Sequence, residues 1–429
     1  MLLRPQVACK LTWKWWYELL RFAFKNFTVF ALITFLGLAN LQPVHAQSSD
    51  PSIGIHPGTD YANIPSLQVG SFRLWDTGTS WAEIEPKQGK YNWKALDAWV
   101  ANSRKAGVTD LVYVFGTTPL WAVNPAYANK KETKGPGFRG KGSTKPPVLS
   151  KFEKFATKVA TRYKGKITSY EVWNEANLLS YWSGSPGQMA SMTKVLYDVV
   201  QRVDSQAVVV AASTTMRGEK YNTFYIPYLR QLKRIGWPVE AFSVHLYPKT
   251  KGTPADRVKL IRQYKSDLRK VGAPSLEIWD TEANYGLRGY RIPSNKVAAY
   301  VGQTFLDSKR LGISRTYWYT WAPEIKYKGK PVLGIVTYKR TKGALALNEI
   351  SRWLSGAKLS QCQTSGELVS CRFYKSQTLQ QISWTTSGTK TLRVPSFATK
   401  ACTLTKGCTS VSPGARYKVG ITPVSFRDS

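Results

Sequence analysis

Histidine and acid are what this chain has least of: 3 histidines in 429 residues, and 26 aspartates and glutamates against 61 lysines and arginines. Cysteine is scarce too, at 5. No two cysteines have Cys-x-x-Cys spacing and no Cys/His cluster has the spacing of a zinc site, so no metal is expected. No Gly-x-Gly-x-x-Gly follows a strand-like run, and no cofactor is expected. Internal repeats, long low-complexity linkers and recognised nucleic-acid motifs are all missing, so a nucleic-acid partner is not expected either. What remains is 43% hydrophobic and 20% charged, the composition of a globular protein with a large core.

Residues 1–46 read as a secretory signal. Arg4, Lys10, Lys14, Arg21 and Lys25 face a single acid, Glu18, ahead of the apolar run Phe27 to Leu41. Val44-His45-Ala46 then offers small or aliphatic residues for cleavage, with Gln47 first in the mature chain. The run falls short of the ~20 residues of a full span; an N-terminal membrane anchor is the alternative. A secreted or periplasmic location follows, with membrane contact only through an uncleaved segment. The other four cysteines, Cys362, Cys371, Cys402 and Cys408, lie in the last quarter. An even number in an exported chain suggests disulfides, and Cys362–Cys371 with Cys402–Cys408 is the simplest of three connectivities. The formal charge is +35, of which residues 1–46 hold +4, leaving +31. Such a field attracts polyanions; adaptation for solubility explains it equally well.

From Ser52 to about Gly343 short β-branched or aromatic runs alternate with longer amphipathic stretches, the rhythm of a parallel sheet covered by helices. Strands are expected at Ile53–His56, Ser71–Trp75, Leu111–Phe115, Ser169–Trp173, Val208–Ala212, Ala241–His245, Leu276–Trp279 and Thr316–Tyr319. Eight of them in about 290 residues predict a (β/α)8 TIM barrel, assigned here to residues 47–356. After a helix near Ala344 to Leu354, residues 357–429 read as short alternating strands, a small C-terminal antiparallel β domain of sandwich type.

Two segments end in a carboxylate in matching contexts: Tyr170-Glu-Val-Trp-Asn-Glu-Ala-Asn177 and Leu276-Glu-Ile-Trp-Asp-Thr-Glu-Ala-Asn284. In a barrel, strand ends converge on one rim. Two carboxylates facing each other there are the machinery of glycosidic cleavage, one protonating the leaving oxygen while the other attacks the anomeric carbon or activates water. Glu175 is the expected general acid/base and Glu282 the nucleophile. Arg73, His245 and Tyr247, at other strand ends, would hold Glu282 ionised, and Asn174 could bond a sugar 2-OH. Tryptophans near strand ends, among them Trp75, Trp121, Trp173, Trp279, Trp318 and Trp321, offer faces for sugar rings, with about half expected to touch substrate and the rest to be core.

The Trp-Asn-Glu at the fourth strand and the carboxylate at the seventh resemble the clan A retaining glycosidases. The barrel region is most similar to glycoside hydrolase family 39 and its relatives, which include β-xylosidases and bacterial exopolysaccharide hydrolases. That resemblance implies retention of configuration, Glu175 as acid/base, Glu282 as nucleophile, support from Asn174, Arg73, His245 and Tyr247, and a sugar platform from Trp318 or Trp321. Ala176 stands where family members commonly carry proline after Asn-Glu. The substrate expected is an oligo- or polysaccharide, with an anionic one in keeping with the charge. The competing class is a non-catalytic cationic protein that binds carbohydrate or polyanions on a barrel scaffold.

The segment Val123 to Val148 is far longer than a usual βα loop of about 2–6 residues. It carries Lys130, Lys131, Lys134, Arg139, Lys141 and Lys145 against one acid, Glu132, with glycines at 135, 137, 140 and 142. It reads as a mobile cationic flap over the cleft, or as a solvated loop.

Overall fold

The computed structural model describes residues 50–429 apart from Glu219, Arg288 and Ser429. The secretory segment expected over residues 1–46 lies outside the described residues. Eight parallel strands close into a barrel in sequential order: β1 (Ile53–Ile55), β2 (Ser71–Leu74), β3 (Asp110–Val114), β4 (Ser169–Glu171), β5 (Val208–Val210), β6 (Ala241–His245), β7 (Glu277–Ala283) and β8 (Arg315–Trp318). All eight expected strands are present. β7 differs most, running to Ala283 through register shifts against both neighbours, so that Glu282 sits within the strand.

The connecting helices are α1 (Trp81–Ile84), α2 (Lys94–Lys105), α3 (Leu149–Arg162), α4 (Pro186–Val203), α5 (Ile226–Arg234), α6 (Pro254–Val271), α7 (Val297–Leu311) and α8 (Lys342–Leu354). Their apolar stripes face the barrel, as in α3, which buries Phe152, Phe155, Ala156, Val159 and Ala160 at helical spacing. Caps fix where the long helices start. Ser185 and Gln188 form a reciprocal capping box ahead of α4, and Thr253 and Asp256 do the same for α6. Gly272, at φ 70°, ends α6 in the left-handed conformation that glycine adopts without steric cost. Among the described residues no helix is long and apolar enough to cross a membrane.

Inside the barrel the lower packing is Val112, Val210, Ala241, Trp279 and Tyr317. Gly54 leaves room for the Tyr317 ring, which a Cβ there would overlap. Alternate strands also place Arg73 (β2), Glu171 (β4) and Ser243 (β6) in the interior, fully buried. This polar layer lies under the site.

Beyond the barrel, β9 (Lys326–Tyr327) and β10 (Lys330–Pro331) form a small hairpin. The C-terminal strands are β11 (Ala357–Ser365), β12 (Leu368–Lys375), β13 (Thr378–Thr385), β14 (Lys390–Arg393), β15 (Lys400–Thr403), β16 (Gly407–Ser410), β17 (Arg416–Val419) and β18 (Val424–Arg427). They make a six-stranded antiparallel sheet in the order β11-β12-β13-β18-β15-β16, and a β14-β17 pair. Val394, Ala398, Ala401, Val419, Val424 and Phe426 form a small core of their own. Disulfides join Cys362 to Cys371 and Cys402 to Cys408, the local pairing expected, each across two adjacent strands.

Candidate active site

Glu175 follows β4 by four residues, in a tight turn where its own φ is 41°. The turn is held to the β5 end: the Glu175 N–H donates to Ser213 Oγ at 3.0 Å, and the Asn177 amide both accepts from the Thr215 N–H and donates to its carbonyl. Glu282 reaches the same place from β7. One oxygen of each glutamate and one ring nitrogen of His245 lie within 4.8 Å of one another. Both glutamates are less than a tenth exposed.

The partners of the two carboxylates differ. Glu282 accepts from Arg73 Nη1 at 3.0 Å and from the Tyr247 hydroxyl at 3.0 Å. Glu175 has His245 Nδ1 at 3.1 Å, and the same nitrogen lies 3.4 Å from Glu282. Burial pushes both carboxyl groups up, to about 7, against the opposing charges of Arg217 and Arg73 at Glu175 and of His245 and Arg73 at Glu282. Two carboxyls this close hold one proton between them near neutrality. Glu282 accepts from a permanently charged guanidinium and a phenol, which favours the proton on Glu175. Burial, with Arg73 and Arg217 adding to it against the pull of Glu282, lowers His245 to about 4. His245 Nδ1 lies between the two carboxylates, 3.1 Å from Glu175 and 3.4 Å from Glu282.

Beneath them the sequence hid a residue that matters. Glu171, fully buried on β4, binds Arg73 through both oxygens, at 2.6 Å to Nε and 2.9 Å to Nη2. Arg73 then donates to Asn174 Oδ1 at 2.8 Å and to Glu282, so one guanidinium fixes both Glu282 and the amide beside Glu175. Asn174 Nδ2 is buried without a partner, which leaves a donor for a sugar hydroxyl. Glu171 lies four residues before Glu175 at the end of a fully buried strand, and a charge in that setting was the signal available. His56, from the end of β1, also joins, with Nε2 3.3 Å from Arg73 Nη1.

Glu175, His245 and Glu282 are close enough to ligate a divalent ion, but their atoms already have hydrogen-bond partners: Arg73 on Glu282 Oε1, Tyr247 on Glu282 Oε2 and Glu175 on His245 Nδ1.

The aromatic expectations need correction. Trp318 is fully buried, donates its indole N–H to Thr337 Oγ1 at 2.7 Å and packs by Tyr285 and Phe305, so it offers no face to a sugar. Strand alternation explains this, since the next residue, Tyr319, points the other way. Tyr319 is half-buried and donates to Asp76 at 2.8 Å, with its ring edge against His56. Trp173 and Trp279 are core, as the inward reading allowed. Trp321 is nearly buried against Tyr338, and Trp121 donates to the Glu85 carbonyl and packs on Trp81; neither bonds the carboxylate network. Trp75, beside Tyr181, is the tryptophan at the β2 end.

The long β3 loop is not a loose flap. Glu132 accepts from the N–H groups of Gly142 and Thr144 and from the Thr144 hydroxyl. Lys145 is buried and donates to the Ala128 carbonyl, while Arg139 pairs with Asp76 at 2.5 Å. Gly135 and Gly137 pass so close to Ser180 and Tyr181 that side chains there would overlap them. These glycines serve close approach instead of mobility.

Comparison with known proteins bears on the fold and on part of the sequence. Residues 59–224 match the family model of glycoside hydrolase family 42, described as beta-galactosidase. The β-galactosidase BbgII of Bifidobacterium bifidum is 29% identical over 172 residues, which are 38% of this chain and 24% of that protein. The chain therefore spans about a quarter of the length of the curated relative it matches. A family 39 glycoside hydrolase from Bacteroides cellulosilyticus superposes with a TM-score of 0.68 at 19% identity, covering 90% of this chain and 82% of its own. The family 39 enzyme of Xanthomonas axonopodis pv. citri does so with a TM-score of 0.63 at 14% identity, covering 90% and 95%. The chain thus has the fold of clan A glycoside hydrolases and is similar in sequence, over the first half of its barrel, to the β-galactosidases among them.

Proposed function

We propose that this protein is a retaining glycoside hydrolase acting on a polysaccharide, with Glu175 as acid/base and Glu282 as nucleophile. The observation that carries the proposal is the approach of the two carboxylates to within 4.8 Å, bridged by one imidazole. Retaining enzymes hold these groups about 5–5.5 Å apart, whereas inverting ones leave about 6.5–9.5 Å for a water. In the first step Glu282 attacks the anomeric carbon, the glycosidic C–O bond breaks, and Glu175 gives its proton to the leaving oxygen. In the second, Glu175 takes a proton from water, which displaces Glu282 from the sugar. Arg73 and Tyr247 hold Glu282 ionised and aimed, and Asn174 Nδ2 is free for the sugar 2-OH. The two disulfides support export to an oxidising compartment, secreted or periplasmic.

Aryl β-galactosides and β-xylosides, the sugars named by the relatives, are the first substrates to try, followed by polysaccharides. Proton NMR of the first-formed product should show the substrate's own anomeric configuration. Glu175→Gln and Glu282→Gln should each lose that activity. Hydrolysis that survives both substitutions, or an inverted product, would overturn the proposal. Binding without hydrolysis by the wild type would leave a carbohydrate-binding protein on a barrel.

A further inference from the structure

The cleft holds one guanidinium more than the two-carboxylate reaction uses. Arg73 is engaged by Glu171, Asn174 and Glu282, and Arg139 by Asp76. Arg217, between β5 and α5, is exposed, and its guanidinium carbon lies 4.7 Å from the centre of the Tyr247 ring. Tyr247 is the phenol that holds Glu282. Among the described residues Arg217 makes no ion pair. The turn that carries it is anchored on both sides: Asn177 clamps Thr215 through two hydrogen bonds before it, and the Tyr221 hydroxyl donates to Asp267 after it.

We infer that Arg217 binds a carboxylate on the substrate, and that the polysaccharide this cleft takes contains uronic acid. The inference rests on the glycosidase reading above and narrows it. Its physical basis is the charge inventory of the cleft. A sugar carboxylate entering here meets the carboxylates of Glu282 and Asp76, both negative, so it needs a cation not already paired with them. Arg217 is that cation, and its planar fork matches a carboxylate through two parallel hydrogen bonds. The tyrosine face beneath it holds the guanidinium at modest cost, since cation–π contact leaves the N–H edge available. Exposed Lys249 and Lys251 follow Tyr247 in the next loop and extend the positive rim. Occupancy would also favour catalysis. After burial, Arg217 is the foremost influence on Glu175 and draws its proton off; a bound carboxylate would offset that charge and help the acid keep its proton.

The test is binding by the Glu282→Gln protein to polygalacturonate, alginate and hyaluronan, each compared with the same polymer after chemical reduction of its carboxyl groups to alcohols. At least one native polymer should bind about tenfold tighter than its reduced form, as expected for one good charge-assisted pair. Adding Arg217→Met should abolish most of that ratio and leave affinity for the reduced polymer and the melting temperature unchanged. Arg217→Lys should restore part of it. Equal binding of native and reduced polymers, no binding to any uronate, or discrimination that survives Arg217→Met would overturn the inference. An Arg217-dependent preference for dextran sulfate over all three uronates would overturn the carboxylate assignment. Hydrolysis is not read in this experiment, so failure of the glycosidase reading shows separately, in the stereochemical test above.

Discussion

As the proposed acid, Glu175 must hold a proton at neutral pH inside a network of acids, and burial is the main cause that raises its carboxyl. The cost falls on stability. A carboxyl raised from its ordinary value to about 7 binds its proton more tightly folded than unfolded, so its contribution is harmless below the unfolded value near 4.5 and becomes a penalty as pH rises toward 7. Above pH 7 the penalty reaches on the order of 3 kcal/mol. Glu175→Gln should therefore raise the melting temperature by a few degrees at pH 8 and leave it unchanged at pH 4, which calorimetry at both values checks. The same substitution should cost about 10²–10⁴ in turnover on substrates with poor leaving groups. Wild-type activity should fall as pH rises through about 7, where the acid loses its proton. His245, lowered to about 4, adds no second limb near neutrality. Arg73 behaves in the opposite way. Arg73→Met would strand Glu171 and Glu282 without their cation, a loss of about 3–5 kcal/mol for a broken buried pair. Chemical denaturation should show that loss at pH 7; a change below 1 kcal/mol would mean that Glu171 is neutral or differently paired.

At the scale of elements, the β3 loop is where backbone and chemistry meet. Gly137 lies against the Tyr181 ring, and a Cβ there would overlap it. Gly137→Ala should displace the loop that carries Arg139 to Asp76, lowering kcat/KM while the melting temperature hardly moves. Unchanged kinetics would show that the loop's seat does not shape the cleft. The contrast between this loop and the strands explains what the sequence made legible. β-branched runs between polar turns located all eight barrel strands, because a parallel barrel buries both faces and demands apolar continuity. The spacing of Glu175 and Glu282 at two such runs located the acidic pair, and strand ends supplied Arg73, His245 and Tyr247. Glycine, however, carries two opposite meanings, mobility and close approach, and composition alone cannot separate them. Trp318 and Tyr319 show the other limit: adjacent residues point to opposite faces, so an error of one residue exchanges core for cleft. In the C-terminal domain the alternation marked strands in general but not their pairing, and the exposed, Ser- and Thr-rich runs of β11 and β16 lack a clear apolar face.

At the scale of the whole molecule, the C-terminal sheet packs directly on the barrel's helices. α7 is buried without interruption from Ala298 to Ser308, which a helix on the outside of a free barrel could not be. One side faces the strands, where Phe305 meets Trp318; the other meets the sheet, where Gly302 sits against Leu404 and Pro423. Gln303 donates to the carbonyls of Thr385 and Ile421, and Gln380 reaches back to the carbonyl of Trp353 at the end of α8. We propose that the sheet is a packing module that completes the barrel. Barrel and sheet should then unfold together, with loss of activity and of near-ultraviolet circular dichroism following one transition. Gly302→Val tests the contact directly. Its side chain would be driven into Leu404, overpacking that typically costs about 1–3 kcal/mol. If the sheet stabilises the barrel, this variant should lose activity at a lower temperature, although the substitution is on the outer face of a helix and touches no residue of the site. Two separate transitions, with activity tracking only the upper one, would instead make the sheet an independent domain whose attachment the barrel does not need.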